Sequence, residues 1–120
     1  MKTLLIWPLI EYNLHYFLHF FNESRHKTHH IVVHNYDLQN LESFWDLEYF
    51  YIILPALYLL NYPILFMGSA WYFLVHTIIH FCPKLLPDLS NYHLIHHKFP
   101  LYNFGITTTF YDRLFNTYKN

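Results

Sequence analysis

Residues 76–97 read HTIIHFCPKLLPDLSNYHLIHH and carry two groups of closely spaced histidines. The first group is His76 and His80, and the second is His93, His96 and His97. Because residues three and four apart lie on one side of a helix, each group is predicted to direct its imidazoles the same way. The spacing therefore predicts two helices whose histidine sides can meet at one site.

The same two kinds of group occur in the same order earlier in the chain. Residues 15–19 read HYFLH, and residues 26–30 read HKTHH. Ten of the eleven histidines thus fall into four groups, whereas a bias in composition would scatter them. Neutral imidazole is the commonest metal ligand, and ten candidate ligands exceed the needs of one tetrahedral ion. The pattern predicts a centre for two metal ions.

The elements around these groups are predicted to be helices. An apolar helix spans Thr3 to about Phe21, and Ser24 can cap a second helix that carries residues 26–30. In one continuous helix, His15 and His30 would be about 22 Å apart along the axis, so a shared site requires a bend between them. Further helices are predicted over residues 64–81 and over residues 90–98, the last capped by Ser90, and the tail is predicted to be mostly loop.

An apolar run indicates a membrane segment. Residues 52–75 contain no charged side chain over 24 positions, which is long enough to cross a bilayer. Residues 48–60 and 64–81 are predicted to form an antiparallel hairpin, because Tyr62 precedes a proline and so avoids helical angles. Most cations lie on the histidine side of this hairpin, so the positive-inside rule places the metal centre in the cytosol. These cations are Arg25, Lys27, Lys84, Lys98, Arg113 and Lys119.

The composition agrees with partial burial in lipid. Hydrophobic residues make up 54% of the 120 residues and charged residues only 12%, which is about half the usual charged share. Residues 1–120 are expected to be a single domain, with no signal peptide, no nucleic-acid partner and no internal disulfide. Cys82 is expected to be buried. The predicted fold is all-α: a membrane helical hairpin plus an N-terminal apolar helix, with cytosolic-face helices carrying the four histidine motifs.

The candidate ligands exclude some classes of metal site but do not identify the metal. All-imidazole sites suit Zn, Cu, Fe and Ni. No glutamate follows the first histidine of any pair, so a hydrolytic site of the HExxH type is absent. A carboxylate di-iron bundle needs two Glu-x-x-His motifs, and only Glu23 and His26 have that spacing. A redox metal at a membrane surface suits the activation of dioxygen against a lipid chain, which zinc cannot perform.

The order of the four groups is followed by Asn103-Phe104-Gly105 and by YDRLFNT over residues 111–117. From about Leu14 to Tyr118, this arrangement resembles the fatty acid hydroxylase / sterol desaturase superfamily. The resemblance implies an integral-membrane, non-haem di-iron oxygenase that acts on sterols, fatty acids, sphingolipids or carotenoids. Carried over motif by motif, the metal ligands would fall on His15, His19, His26, His29, His30, His76, His80, His93, His96 and His97.

The resemblance also implies cofactors and partners. The protein would hydroxylate or desaturate a lipid with O2 and two Fe ions, which zinc can replace in isolated protein. Electrons would come from an external donor such as a cytochrome b5/reductase-type carrier. The expected location is an endoplasmic-reticulum-like or bacterial inner membrane, with the metal site facing the cytosol. The additional N-terminal membrane helices of the family are expected to be missing, and a homodimer could replace them. Tyr111 and Asn116 stand where the family's closing motif has Trp and Gly.

Several alternatives stay open at this point. A non-catalytic metal-binding membrane protein, a degenerate family remnant and a zinc hydrolase are rival interpretations. His34 is either an extra ligand or an exposed interfacial histidine. Asp112 either orients a ligand imidazole, as carboxylates commonly do, or caps a turn or pairs with Arg113. Glu11 either orients a ligand imidazole or marks a polar helix face.

Overall fold

A computed structural model describes residues 2–21, 24–32 and 61–120 of the chain. All regular structure in these three ranges is helical, which confirms the all-α class. The elements are α1 (Lys2–Phe20), α2 (Ser24–Val32), α3 (Pro63–Phe81), a 3-10 helix (Pro83–Leu85), α4 (Pro87–Lys98) and α5 (Phe110–Leu114). The first arm of the hairpin (residues 48–60), the polar stretch 34–48 and His34 lie outside the described residues, so the hairpin stays a prediction.

The bend between the first two helices is where the histidine spacing requires it. Helix α1 ends at Phe20 and α2 begins at Ser24. The start of α4 differs from the prediction, because the helix begins at Pro87 rather than after Ser90. A proline fits the first helical position, where its missing N–H costs no hydrogen bond. The Ser90 hydroxyl donates to the Pro83 carbonyl at 3.4 Å, so the prediction that Ser90 caps α4 is wrong.

Helix α3 has the length and composition of a membrane span. An 18-residue window of this 19-residue helix has a mean hydropathy of 1.5, and α3 is the one helix in the described ranges that passes this test. Large apolar side chains such as Met67 and Trp71 are exposed along it. On its other side α3 packs against α1, where a Cβ on Gly68 would lie 2.5 Å from the Trp7 ring. Cys82, directly after α3, is exposed, so the prediction that its thiol is buried is wrong.

The C-terminal loop fills the space between the helices. Phe104 packs with Tyr12 of α1, and Ile106 packs with Val75 and Ile79 of α3. Residues 102–107, which we call the loop segment, therefore link α1 to α3. This path requires unusual backbone angles, since Asn103 has a φ of 57°.

The closing turn supports one detail of the sequence interpretation. Asn116 has a φ of 59°, in the left-handed region that Gly adopts freely. Asn tolerates this region better than most residues. The turn therefore forms in this chain with Asn at the position where the family motif has Gly.

Candidate metal centre

The bend between α1 and α2 folds two histidine groups onto each other. The Nε2 atoms of His15 and His26 are 3.0 Å apart, and those of His19 and His26 are 2.8 Å apart. His30 adds a third contact, with its Nε2 atom 3.2 Å from that of His19. One straight helix would separate His15 from His26, and His19 from His30, by about 16 Å along its axis.

A histidine from α4 completes this group. The Nε2 atom of His96 lies 3.0 Å from that of His19 and 3.1 Å from that of His30. One ring nitrogen from each of five histidines lies within 4.8 Å of all the others. We call this set the first histidine cluster; its members are His15, His19, His26, His30 and His96.

The remaining five motif histidines form a second cluster around His93. The Nε2 atom of His93 is 3.0 Å from those of His80 and His97 and 3.2 Å from that of His76. The ring of His29 lies 5.0 Å from the rings of His80 and His97, centroid to centroid. The second histidine cluster consists of His29, His76, His80, His93 and His97.

Each HxxHH motif contributes histidines to both clusters. Every pair four residues apart stays within one cluster, because four residues are close to a whole helical turn. The second histidine of each HxxHH motif joins the other cluster: His29 lies apart from His26 and His30, and His96 lies apart from His93 and His97. Neighbouring helical residues point about 100° apart, so one helix can serve both sites. The sequence predicted the convergence of ten imidazoles but not this partition.

Burial keeps the imidazoles of the first histidine cluster neutral. It lowers the pKa of His19 to about 4 and that of His30 to about 3. The pKa of His26 falls to about 2 through burial and repulsion from neighbouring histidines. The same two causes hold the pKa of His96 well below its usual value. At neutral pH the rings therefore keep the lone pairs that a metal ion needs.

The loop segment decides which ring nitrogen carries the hydrogen in two members of the first cluster. Nδ1 of His15 donates to the Phe104 carbonyl at 2.6 Å, and Nδ1 of His96 donates to the Tyr102 carbonyl at 2.7 Å. A carbonyl can only accept, so Nδ1 holds the hydrogen and the Nε2 lone pair points into the cluster. The sequence does not predict the contacts of either carbonyl, although Phe104 belongs to the Asn103-Phe104-Gly105 motif.

This donor set fits a metal ion. Two ligands at right angles on an ion, each bonded at about 2.1 Å, are themselves about 3 Å apart. The shortest Nε2 separations within the first cluster, from 2.8 to 3.2 Å, match that spacing. Neutral imidazoles with inward lone pairs at such distances have the chemistry of a ligand shell.

Glu11 does not have either of the roles predicted for it. It is 2% exposed, so it does not mark a polar helix face. One oxygen accepts from the backbone N–H groups of Ile106 and Thr107, each at 2.7 Å, and the other accepts from the Thr107 hydroxyl at 2.8 Å. Burial raises its pKa to about 7, while these hydrogen bonds act in the opposite direction. Its hydrogen bonds hold the loop segment rather than an imidazole.

Asp112 is the cap of a turn, as one of its two alternatives predicted. Its carboxylate accepts from the backbone N–H of Phe104 at 2.8 Å and of Gly105 at 2.7 Å. It also accepts from the hydroxyls of Tyr92 and Thr117. The guanidinium of Arg113 lies elsewhere, 4.0 Å above the Tyr118 ring.

Two cavities adjoin the helices that carry the histidines. One of about 220 Å³ opens beside the first cluster, where His19, His26 and His30 line it together with Lys27. The other, of about 460 Å³, lies between α1 and α3 and is mainly apolar, with Trp7 and Trp71 among its walls. Lys27 and Lys98 are exposed, and the side chain of Arg25 lies outside the described part of the chain.

The fold and site define an all-helical protein with two adjoining histidine clusters beside an apolar helix. The chain belongs to the fatty acid hydroxylase family, whose model matches residues 1–117. It is 26% identical over 137 aligned positions to the ceramide very long chain fatty acid hydroxylase SCS7 of Saccharomyces cerevisiae. That match covers 94% of this chain and 36% of the yeast protein, so the chain spans about a third of its relative. No solved structure matches the chain.

Proposed function

We propose that the protein is a membrane-bound oxygenase that uses two iron ions, O2 and an external electron donor to hydroxylate a lipid. The observation that carries this proposal is the grouping of ten imidazoles into two adjacent five-histidine clusters. Family membership and the hydroxylase named as a relative favour hydroxylation over desaturation.

Each cluster would hold one ion. The first would use His15, His19, His26, His30 and His96, and the second would use His29, His76, His80, His93 and His97. When bound, iron supplies the redox chemistry that oxidation of an unactivated C–H bond requires. Burial would keep the ligands of the first cluster neutral. The loop segment holds His15 and His96 through the hydrogen bonds that their Nδ1 atoms donate to its carbonyls.

The lipid is proposed to enter from the membrane side. The apolar length of α3 and the family support a membrane location. The cavity between α1 and α3 is lined by side chains such as Trp7, Met67 and Trp71, which suit a hydrocarbon chain. The printed name of the yeast relative makes a very long acyl chain of a ceramide the first substrate to test.

Electrons are proposed to come from an acidic carrier of the cytochrome b5/reductase type. Both Lys27 and Lys98 are exposed. Lys27 lines the cavity beside the first cluster, and Lys98, at the end of α4, lines a further cavity together with His30. Opposite charges would steer such a carrier toward this side of the protein. A cytosolic orientation, an endoplasmic-reticulum-like or bacterial inner membrane, and a homodimer belong to the same proposal.

The test is turnover by the purified chain in detergent. We expect two iron ions per chain, and O2 consumption that depends on NAD(P)H, an added reductase and a ceramide. Mass spectrometry should show a product heavier by one oxygen atom, labelled when 18O2 is supplied. A His80→Ala variant serves as the matched control without turnover. Firmly bound metal with no product from ceramides, free fatty acids or sterols would contradict the enzyme and support a metal-binding protein instead.

A further inference from the structure

One peptide group connects Asp112 to His15. The carbonyl of Phe104 and the N–H of Gly105 belong to the same peptide bond, which is planar and rigid. Its oxygen accepts from Nδ1 of His15 at 2.6 Å, and its N–H donates to Asp112 at 2.7 Å. The orientation of this plane therefore fixes the imidazole and the carboxylate relative to each other.

A second peptide group connects Asp112 to His96 through one more residue. The carbonyl of Tyr102, which accepts from Nδ1 of His96, shares a peptide bond with the N–H of Asn103. That N–H donates to the backbone oxygen of Thr117 at 2.8 Å. The hydroxyl of Thr117 in turn donates to Asp112 at 2.7 Å. Both imidazoles that the loop segment holds are thus linked to one carboxylate.

Asp112 has the properties of a fixed anchor. It is 0% exposed and accepts four hydrogen bonds from the loop segment and its surroundings. Hydrogen bonds to an ionised acceptor are roughly twice as strong as those between neutral groups. Glu11 holds the next part of the same segment from α1, so the two peptide groups have little freedom to rotate.

We propose that Asp112 is a positioning residue that acts through two peptide groups to keep the hydrogen of His15 and His96 on Nδ1. It would thereby set the metal affinity of the first histidine cluster. The proposal rests on the proposed function, because it assumes that this cluster binds an ion. Both histidines held in this way belong to the first cluster, so we expect the effect of Asp112 there.

The first test measures Co²⁺ affinity in the metal-free full chain in detergent. Asp112→Asn is made in two backgrounds, His80→Ala to leave the first cluster intact and His96→Ala to leave the second. Loss of an outer hydrogen-bond partner typically weakens a metal site by about 10- to 100-fold. We expect that loss in the His80→Ala background and unchanged affinity in the His96→Ala background. Equal losses in both backgrounds would overturn the proposal.

Two controls separate positioning from a general loss of stability. Asp88→Asn removes an exposed carboxylate from the first turn of α4 and should leave both affinities unchanged. Leu89→Ala removes apolar packing from the cluster of Val75, Ile79 and Ile106 without removing a hydrogen bond of the loop segment. If Leu89→Ala weakens the first cluster as much as Asp112→Asn does, the positioning role is refuted. Should Asp112→Asn fail to fold, Thr117→Val removes the hydroxyl that bonds Asp112 and Tyr12. Of the two links from Asp112 to the histidines it cuts the one to His96 alone, so it should weaken Co²⁺ binding less.

The second test needs no metal and keeps the proposal separable from the proposed function. The 15N shifts of His15 and His96 in the metal-free protein report which nitrogen is protonated. We expect Nδ1–H in the unsubstituted chain and a mixture of tautomers in Asp112→Asn. Unchanged shifts in the variant would overturn the role of Asp112. Absence of Co²⁺ binding by the unsubstituted chain would instead contradict the proposed dimetal function.

Discussion

The two histidine clusters are built from the same kinds of motif but have different surroundings. The first cluster lies at the bend between α1 and α2, where His19 and His30 are only half-buried and a cavity opens beside them. In the second, His29, His76, His80 and His93 are at most 2% exposed, and only His97, which also lines that cavity, is half-buried. The loop segment supplies two carbonyl acceptors to the first, whereas Val75 and Ile79, beside the ligands that α3 gives to the second, pack in an apolar cluster.

This difference indicates that the two ions would not be equivalent. The loop segment, with its left-handed Asn103, bonds two ligands of the first site, and α3 supplies His76 and His80 to the second. A site opened by a cavity exchanges water and small molecules more readily than a packed one. The first cluster is therefore the better candidate for the side on which O2 or electrons arrive.

Removal of a ligand from each cluster should give the largest effects. His96→Ala and His80→Ala each delete one buried imidazole. We expect each variant to lose one of two iron ions and to lose turnover by more than the 10- to 100-fold or so that outer partners cost. Metal analysis beside product formation checks this. Retention of both ions in either variant would show that the clusters are not separate sites.

Two glycine substitutions should separate the effect of the loop segment on metal binding from the effect of the α1–α3 contact on stability. A Cβ on Gly105 would collide with the Thr108 carbonyl, and a Cβ on Gly68 would collide with the Trp7 ring. Overpacking of this kind costs about 1–3 kcal/mol. Gly105→Ala should also weaken metal binding at the first cluster, whereas Gly68→Ala should reduce stability alone. Thermal unfolding measures the stability of both variants, and Co²⁺ titration measures their metal affinity. An equal loss of metal affinity in both variants would contradict a specific link between the loop segment and the first cluster.

Acid should destabilise the metal-free protein. The pKa of His19 is lowered to about 4 and that of His30 to about 3, mainly by burial. Unfolded chains take up these protons near pH 6.5 or so, hence the unfolded state binds more protons below that pH. The stability contribution is fully present above it and is lost as the pH falls toward the folded values. Unfolding midpoints of the chain and of His19→Gln between neutral and weakly acidic pH test this, and a flatter profile is expected for the variant.

The two left-handed asparagines should give the smallest and most contrasting effects. Asn116 is exposed in the closing turn, so Asn116→Gly should leave stability unchanged or raise it by less than about 1 kcal/mol. Asn103 is buried and bonds the Tyr92 and Lys119 carbonyls. Asn103→Gly should therefore destabilise the protein through lost hydrogen bonds. Denaturant unfolding measures both, and a stabilising Asn103→Gly would show that backbone angle matters more there than bonding.

The sequence predicted much of the helical framework within a few residues. The bend between α1 and α2 and the helix over residues 64–81 follow from histidine spacing, proline position and apolar composition, which act locally. The start of α4 and the exposure of Cys82 were predicted wrongly. The helix begins at Pro87 by a local preference of proline that the prediction did not apply, whereas the exposure of Cys82 depends on how the chain packs. The single domain, the partners and the role of His34 stay predictions.

Helix geometry alone put each pair of histidines four residues apart on a common side, because 3.6 residues per turn is a property of the backbone. The exchange of His29 and His96 between clusters required the helices to be packed at particular angles. The hydrogen bonds by which Glu11 and Asp112 hold the loop segment are likewise visible only in the folded chain. Their hydrogen-bond partners on the loop segment reach them through a left-handed Asn103 and through contacts spanning up to 96 residues, which no local rule specifies.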